Sequence, residues 1–136
     1  ACFCTFQQMT KKDLLNCPQA VFNFVQAKLK GLSYEVFMVI FLNAKNESIG
    51  YEILHQGTID RTAVYPRRVV ESALSNHATG IILVHNHPSG HPEPSDEDRK
   101  ITCSILKATS TVDIKVLDHI IVGKSGYFSF AEKGIL

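Results

Sequence analysis

Ile81-Ile82-Leu83-Val84-His85-Asn86-His87-Pro88-Ser89-Gly90-His91-Pro92-Glu93-Pro94-Ser95-Asp96-Glu97-Asp98 is the stretch that decides how the rest of the chain is read. Residues 81–84 are a short, β-branched, uncharged run, the pattern of a buried strand. His85 and His87 follow two apart, so an extended backbone turns both imidazoles to one face and Asn86 to the other. Pro88 has no N–H to give a ladder and ends the pairing. Ser95 then opens a Ser-x-x-Asp pattern, the form of a helix N-cap with an acid at the third helical position. The unit is strand, proline-rich loop, helix.

Upstream, Pro18 suits the first turn of a helix whose apolar stripe is Val21, Phe22, Val25 and Leu29, with Gly31 as its stop. Residues 34–42 are too apolar for an edge and read as a central strand. The turn-like Asn43-Ala44-Lys45-Asn46 leads into a second strand near 49–55, which Gly57 breaks, and a weaker third over 59–64. Hairpin connections would make these strands antiparallel. Pro66 opens a second helix with Val69, Val70, Ala73 and Leu74 as its buried face. Downstream, the helix after Ser95 runs to about Ala108 and buries Ile101, Ile105 and Leu106. A long strand over 112–122 and a short one over 127–130 complete the chain. The expected class is α/β (α+β), a mixed β-sheet flanked by helices. One domain fills 17–136, behind a loose lead-in over 1–16 that shows little periodicity.

Two imidazoles and a carboxylate that one loop can bring together, His85, His87 and Asp98, make a three-ligand metal set. Zinc accepts nitrogen and carboxylate oxygen, and three protein ligands leave a fourth position for water, the mark of a catalytic site. Iron in an oxygenase also takes two histidines and a carboxylate. The competing view has two ordinary strand-end histidines and an aspartate that complements a helix dipole. His-x-His closing an apolar strand, with an acidic helix start behind it, favours the metal.

At these residues the chain resembles the JAMM (MPN+) metallohydrolases, whose metal signature is His-x-His-Pro followed by Ser-x-x-Asp. The longer string His85-Asn86-His87-Pro88-Ser89-Gly90 with Pro94-Ser95-x-x-Asp98 is similar to the bacterial RadC branch. The likeness covers about residues 18–136 and includes Glu35-Val36-Phe37, Thr62-Ala63-Val64-Tyr65-Pro66-Arg67 and Val116-Leu117-Asp118-His119. It implies a JAB/MPN fold, a cytidine-deaminase-like mixed sheet between helices. It also implies a zinc-dependent hydrolase of amide or isopeptide bonds, with a peptide or isopeptide substrate as partner.

Hydrolysis needs a group to move the proton of the activated water, and a carboxylate within hydrogen-bond reach can do so. In the family this is an upstream glutamate beside the first central strand. Glu35 and Glu52 are the candidates: Glu35, heading the most apolar strand, matches that placement and is preferred, while Glu52, in the second strand, where alternation could equally aim it outward, reads as a solvated strand residue. Ser95 is an N-cap by pattern, and the resemblance gives its hydroxyl a second role toward a tetrahedral oxyanion. His91 reads as an exposed loop residue or a spare ligand, and His119, beside Asp118, as second support for a ligand or a buried strand histidine. His55, His77, Arg67 and Arg68 read as surface.

Composition narrows the classes. The net charge of +1 gives no electrostatic case for nucleic acid, so a DNA-processing or DNA-repair accessory role rests on the branch's traditional label alone. A contiguous His-Asn-His on one strand end is not the ββα arrangement of HNH nucleases. A non-catalytic MPN scaffold is the third possibility, which an intact ligand set argues against. A zinc deaminase would need a Pro-Cys-x-x-Cys element, and the His-x-His amidohydrolases need a barrel of roughly 250 residues. No apolar run approaches membrane-spanning length and no signal peptide is apparent. Cys2, Cys4, Cys17 and Cys103 lack Cys-x-x-Cys spacing and read as reduced thiols of a cytoplasmic protein. The chain opens on Ala1, which suggests a fragment or a processed start; RadC-like proteins usually carry a helix-hairpin-helix-type region ahead of this domain.

Overall fold

A computed structural model describes residues 18–29, 31–58 and 64–136. The expected lead-in, Cys2, Cys4 and Cys17, and residues 59–63 of the expected third strand lie outside the described residues. In order, the elements are α1 (Pro18–Leu29), β1 (Val36–Leu42), β2 (Ser48–Gln56), α2 (Pro66–Ser75) and β3 (Gly80–Asn86). They continue with α3 (Asp96–Ser110), β4 (Lys115–Val122) and β5 (Tyr127–Ser129). The five strands form one sheet in the order β2-β1-β3-β4-β5.

β1 runs antiparallel to β2, as the hairpin reading requires, and antiparallel to β3 as well, while β3 and β4 are parallel. A parallel pair needs a crossover, and α3 supplies it. The sheet is mixed, as expected. Because β3 ends where the crossover begins, the loop over 87–95 leaves from the carboxyl end of the strand, where α/β sheets place their ligands.

β1 and β3 are uniformly buried because both faces are covered. Met38, Ile40, Leu42, Ile82, Val84 and Ile120 pack under Val21, Phe22, Val25 and Leu29 of α1. The residues between them in sequence, Phe37, Val39, Phe41, Ile81 and Leu83, face the opposite way, with Val69 and Ala73 of α2 and Ile101 and Ile105 of α3. Period-two alternation thus assigns each side chain to a layer, and His85 falls in the layer of Ile81 and Leu83, on the α3 side. Edge strand β2 alternates, leaving Ile49, Tyr51 and Ile53 exposed.

Four expectations need correction. The stretch over 112–114 is a turn rather than strand: Asp113 takes a left-handed backbone (φ 57°), and the Ile114 N–H donates to the Thr109 carbonyl at 3.1 Å, closing the end of α3. In α2 the buried positions are Val69, Ser72 and Ala73, while Leu74 is exposed, because the Ser72 hydroxyl turns inward to donate to the Glu52 carboxylate. That same bond makes Glu52 a half-buried structural residue rather than a solvated one. In α3 Leu106 is only partly buried, and Thr102 and Thr109 share the inner face with Ile101 and Ile105.

Candidate metal centre

The loop after β3 is tied to the end of β4. The His87 N–H donates to the Val122 carbonyl at 2.8 Å, the Gly90 N–H to the His87 carbonyl at 2.9 Å, and the Lys124 N–H to the Gly90 carbonyl at 3.2 Å. Gly123 permits this approach, since a Cβ there would collide with the Gly90 carbonyl oxygen. On the α1 side, Asn86 fixes the strand end: its Oδ1 accepts from the Val36 N–H at 2.7 Å and its Nδ2 donates to the Tyr34 carbonyl at 3.1 Å. The residue between the two histidines therefore pins β3 to the start of β1, beside Glu35.

Across the loop, Ser95 caps α3. Its hydroxyl oxygen accepts from the Asp98 N–H at 3.1 Å and Asp98 Oδ2 accepts from the Ser95 N–H at 2.8 Å, a reciprocal capping box. The box holds the Asp98 carboxylate back over the helix start, toward β3.

The predicted ligands come together. His85 Nε2 lies 3.0 Å from His87 Nε2 and 3.2 Å from Asp98 Oδ1, and His87 Nε2 lies 3.1 Å from Asp98 Oδ2. One ligand atom from each residue falls within 4.8 Å of the others. His87 Nδ1 meets the His91 carbonyl at 2.8 Å, a group that only accepts, so Nδ1 carries a proton and Nε2 of the neutral ring presents a lone pair inward. His91 contributes that carbonyl, while its side chain is exposed, as one of its two readings had it. Two nitrogen lone pairs and a carboxylate at such separations repel one another unless a cation or proton lies between them. Nitrogen and carboxylate oxygen are donors that divalent metals accept, and these three residues could hold a metal ion. The donor set fits the metal.

The electrostatics agree with the geometry. Burial would raise the Asp98 carboxyl, but in the metal-free protein the two imidazoles, when their Nε2 atoms carry protons, and the Ser95 N–H hold it far below the usual carboxylate range. Burial works to lower His87, yet Asp98, the His91 carbonyl and the charge of Glu35 together raise it. Glu35, partly buried one residue before β1, is thus close enough for its charge to be felt at His87.

Behind the ligands, His119 on β4 is fully buried, with Nε2 3.0 Å from His85 Nδ1 and Nδ1 2.5 Å from the Thr102 hydroxyl. It is the buried, hydrogen-bonded strand histidine of one of its two readings, and it lies against His85. Phe37 and Phe130 wall the His85–His119 pair at ring separations of 6.1 and 4.7 Å. Asp118 does not reach that ring; it accepts from the Ser129 hydroxyl, the Ala131 N–H and the His119 N–H, bracing β4 to the last strand. Burial pushes its pKa up against those three donors. Thr102 is marked in the sequence only by its place one helical turn after Asp98. A groove of about 740 Å³ opens beside His87 between α1 and the end of β4, lined among others by Gln26, Leu32, Asn86 and Lys124. Among the described residues no helix is long and apolar enough to cross a membrane.

Comparison with known sequences agrees. The chain is 47% identical over 131 residues to a UPF0758 protein of Pseudoalteromonas translucida, covering 96% of this chain and 58% of that protein. A UPF0758 protein of Symbiobacterium thermophilum is 47% identical over 128 residues, covering 94% and 54%. One from Leptothrix cholodnii is 44% identical over 129 residues, covering 95% and 58%. The chain thus spans a little over half the length of these relatives. The RadC-like JAB domain pattern matches residues 15–135, and with these relatives it establishes that the chain belongs to the RadC-like JAB domain family.

Proposed function

We propose that this chain is a zinc-dependent hydrolase domain that cleaves an amide or isopeptide bond in a cytoplasmic peptide or protein substrate. The observation that carries the reading is the convergence of His85 Nε2, His87 Nε2 and the Asp98 carboxylate at 3.0–3.2 Å, with His87 Nδ1 already committed to a carbonyl. Bound zinc would lower the pKa of a water toward neutrality and polarise the scissile carbonyl. His85, His87 and Asp98 would hold it, and the capping box keeps Asp98 aimed.

Glu35 acts as the general base, taking a proton from the attacking water and returning it to the leaving amine nitrogen. Its place at the head of β1 and its electrostatic reach to His87 support that role. Glu52 is engaged by Ser72, which supports Glu35 rather than Glu52 in this role. The Ser95 hydroxyl oxygen accepts from the Asp98 N–H, which leaves its proton to donate to the carbonyl oxygen as charge develops there. The groove beside His87 offers the substrate chain a path along α1.

The test is metal content of protein purified without chelator, wild type beside His87→Ala, followed by peptide and isopeptide cleavage. About one equivalent of zinc in the wild type, lost in the variant, with zinc-dependent cleavage, is expected. A wild type that takes up no metal even after zinc is added back sinks the reading and leaves a scaffold.

A further inference from the structure

We infer that His119 and Thr102 are positioning residues that set the tautomer of His85, directing its Nε2 lone pair at the metal. The inference rests on the reading of His85, His87 and Asp98 as ligands. The chain of contacts starts on α3. The Thr102 hydroxyl lies 2.7 Å from the Asp98 backbone carbonyl one turn earlier, and it donates there, the ordinary bond of a helical threonine. With its proton so placed, the oxygen accepts from His119 Nδ1 at 2.5 Å. His119 Nε2 of the neutral ring then offers a lone pair to His85 Nδ1 at 3.0 Å, and His85 Nδ1 must donate. That leaves the His85 Nε2 lone pair facing His87 Nε2 and Asp98.

The opposite direction is the only competitor. With the threonine proton on His119 Nδ1, His119 would donate to His85, and the His85 proton would sit on Nε2, blocking it as a ligand. The Asp98 carbonyl opposes that arrangement by drawing the hydroxyl proton away. Asp98 thus serves the site twice: its carboxylate is a ligand, and its carbonyl anchors the hydrogen-bond chain that orients a second ligand. The i, i+4 spacing of Asp98 and Thr102 on α3 makes this possible, and the parallel pairing of β3 with β4 puts His119 opposite Leu83, within reach of His85. All of it is buried, with His85 and His119 fully enclosed, so no water can substitute for a missing partner without a cavity.

Replacing Thr102 by valine keeps the shape and removes the acceptor. His119 Nδ1–H then loses its partner, the Nε2–H tautomer is favoured, and the His85 lone pair turns away from the metal. Thr102→Val should weaken zinc binding roughly 10–100-fold, measured by competition with a chromogenic chelator, though Thr102 touches no metal. Thr102→Ser should bind within about threefold of the wild type, because the hydroxyl is restored. Thermal unfolding of the metal-free variants checks that the fold is kept. Independently of any variant, ¹⁵N NMR of the imidazoles in the zinc-loaded wild type should place the His119 proton on Nδ1. A Thr102→Val protein that holds zinc as tightly as the wild type, or a His119 proton found on Nε2, overturns the positioning role alone. A wild type that takes up no zinc removes the metal reading and the positioning role with it.

Discussion

Asp98 and Asp118 are buried almost equally, at 3% and 5% exposure, and each has three polar partners, yet their surroundings push them in opposite directions. Burial raises both. At Asp98 it is overcome by two imidazoles and a backbone N–H; at Asp118 it prevails over a hydroxyl and two backbone N–H groups. The number of hydrogen bonds does not separate them. What separates them is whether a partner can carry positive charge. Asp98 sits where the fold favours a cation, while Asp118 ties one strand to the next segment of chain. One carboxylate faces groups that could share a metal ion with it, and the other braces the sheet.

The sharpest way to break this contrast is to neutralise each in turn. Asp98→Asn should reduce zinc affinity by more than about 100-fold and abolish cleavage, because a ligand charge is lost at the centre itself. Asp118→Asn should retain about one equivalent of zinc, since Asp118 meets the site only through the His119 backbone N–H. Metal analysis after dialysis decides it, and equal zinc loss in both would mean that the two aspartates are not functionally distinct.

Glu35 and Glu52 extend the comparison to a second pair of acids. Glu35→Gln should keep the zinc and lower turnover by roughly 10²–10⁴-fold, the range for a lost general base. Glu52→Gln should leave turnover within about twofold and lower stability by about 1 kcal/mol through the weakened Ser72 bond. Reversed outcomes would reassign the base. Ser95→Ala is a smaller perturbation: loss of the cap should reduce stability by about 1 kcal/mol, while loss of the donor should reduce turnover by about 10²-fold. A turnover loss no greater than the stability loss would leave Ser95 as a cap only.

The candidate ligands were legible because local geometry sets them. Alternation along β3 puts His85 and His87 on one face, and a capping pattern turns Asp98 back toward them, so residues 81–98 contain the whole candidate set. β1 and β3 were legible for a related reason, since strands covered on both faces are written as apolar runs. What escaped depends on distant partners. Ser72 is buried through a glutamate 20 residues earlier, which no helical periodicity in α2 records, and Leu74 is left outside. The turn at Asp113 hides between the β-branched Val112 and Ile114, whose propensity argues for strand. Thr102 meets His119 only because a parallel crossover brings α3 and β4 together.

The gentlest test of the two aspartates is pH. Asp118 has a folded-state pKa raised above its ordinary value of 3.8, chiefly by burial, so the native state favours its protonated form. The sign follows from linkage: its contribution to stability is fully present below that ordinary value and is lost as pH rises through the folded pKa. An asparagine at this position does not titrate. The wild type should therefore gain stability relative to Asp118→Asn as pH falls from neutrality toward 4, read as the difference between their denaturant midpoints in the metal-free state. Asp98 does not enter this difference, because it is present in both proteins and its own titration cancels. A difference that stays flat, or that moves in favour of the variant on acidification, would mean that the neutral partners of Asp118 stabilise its charge as effectively as the imidazoles stabilise that of Asp98, and the contrast between the two sites would be lost.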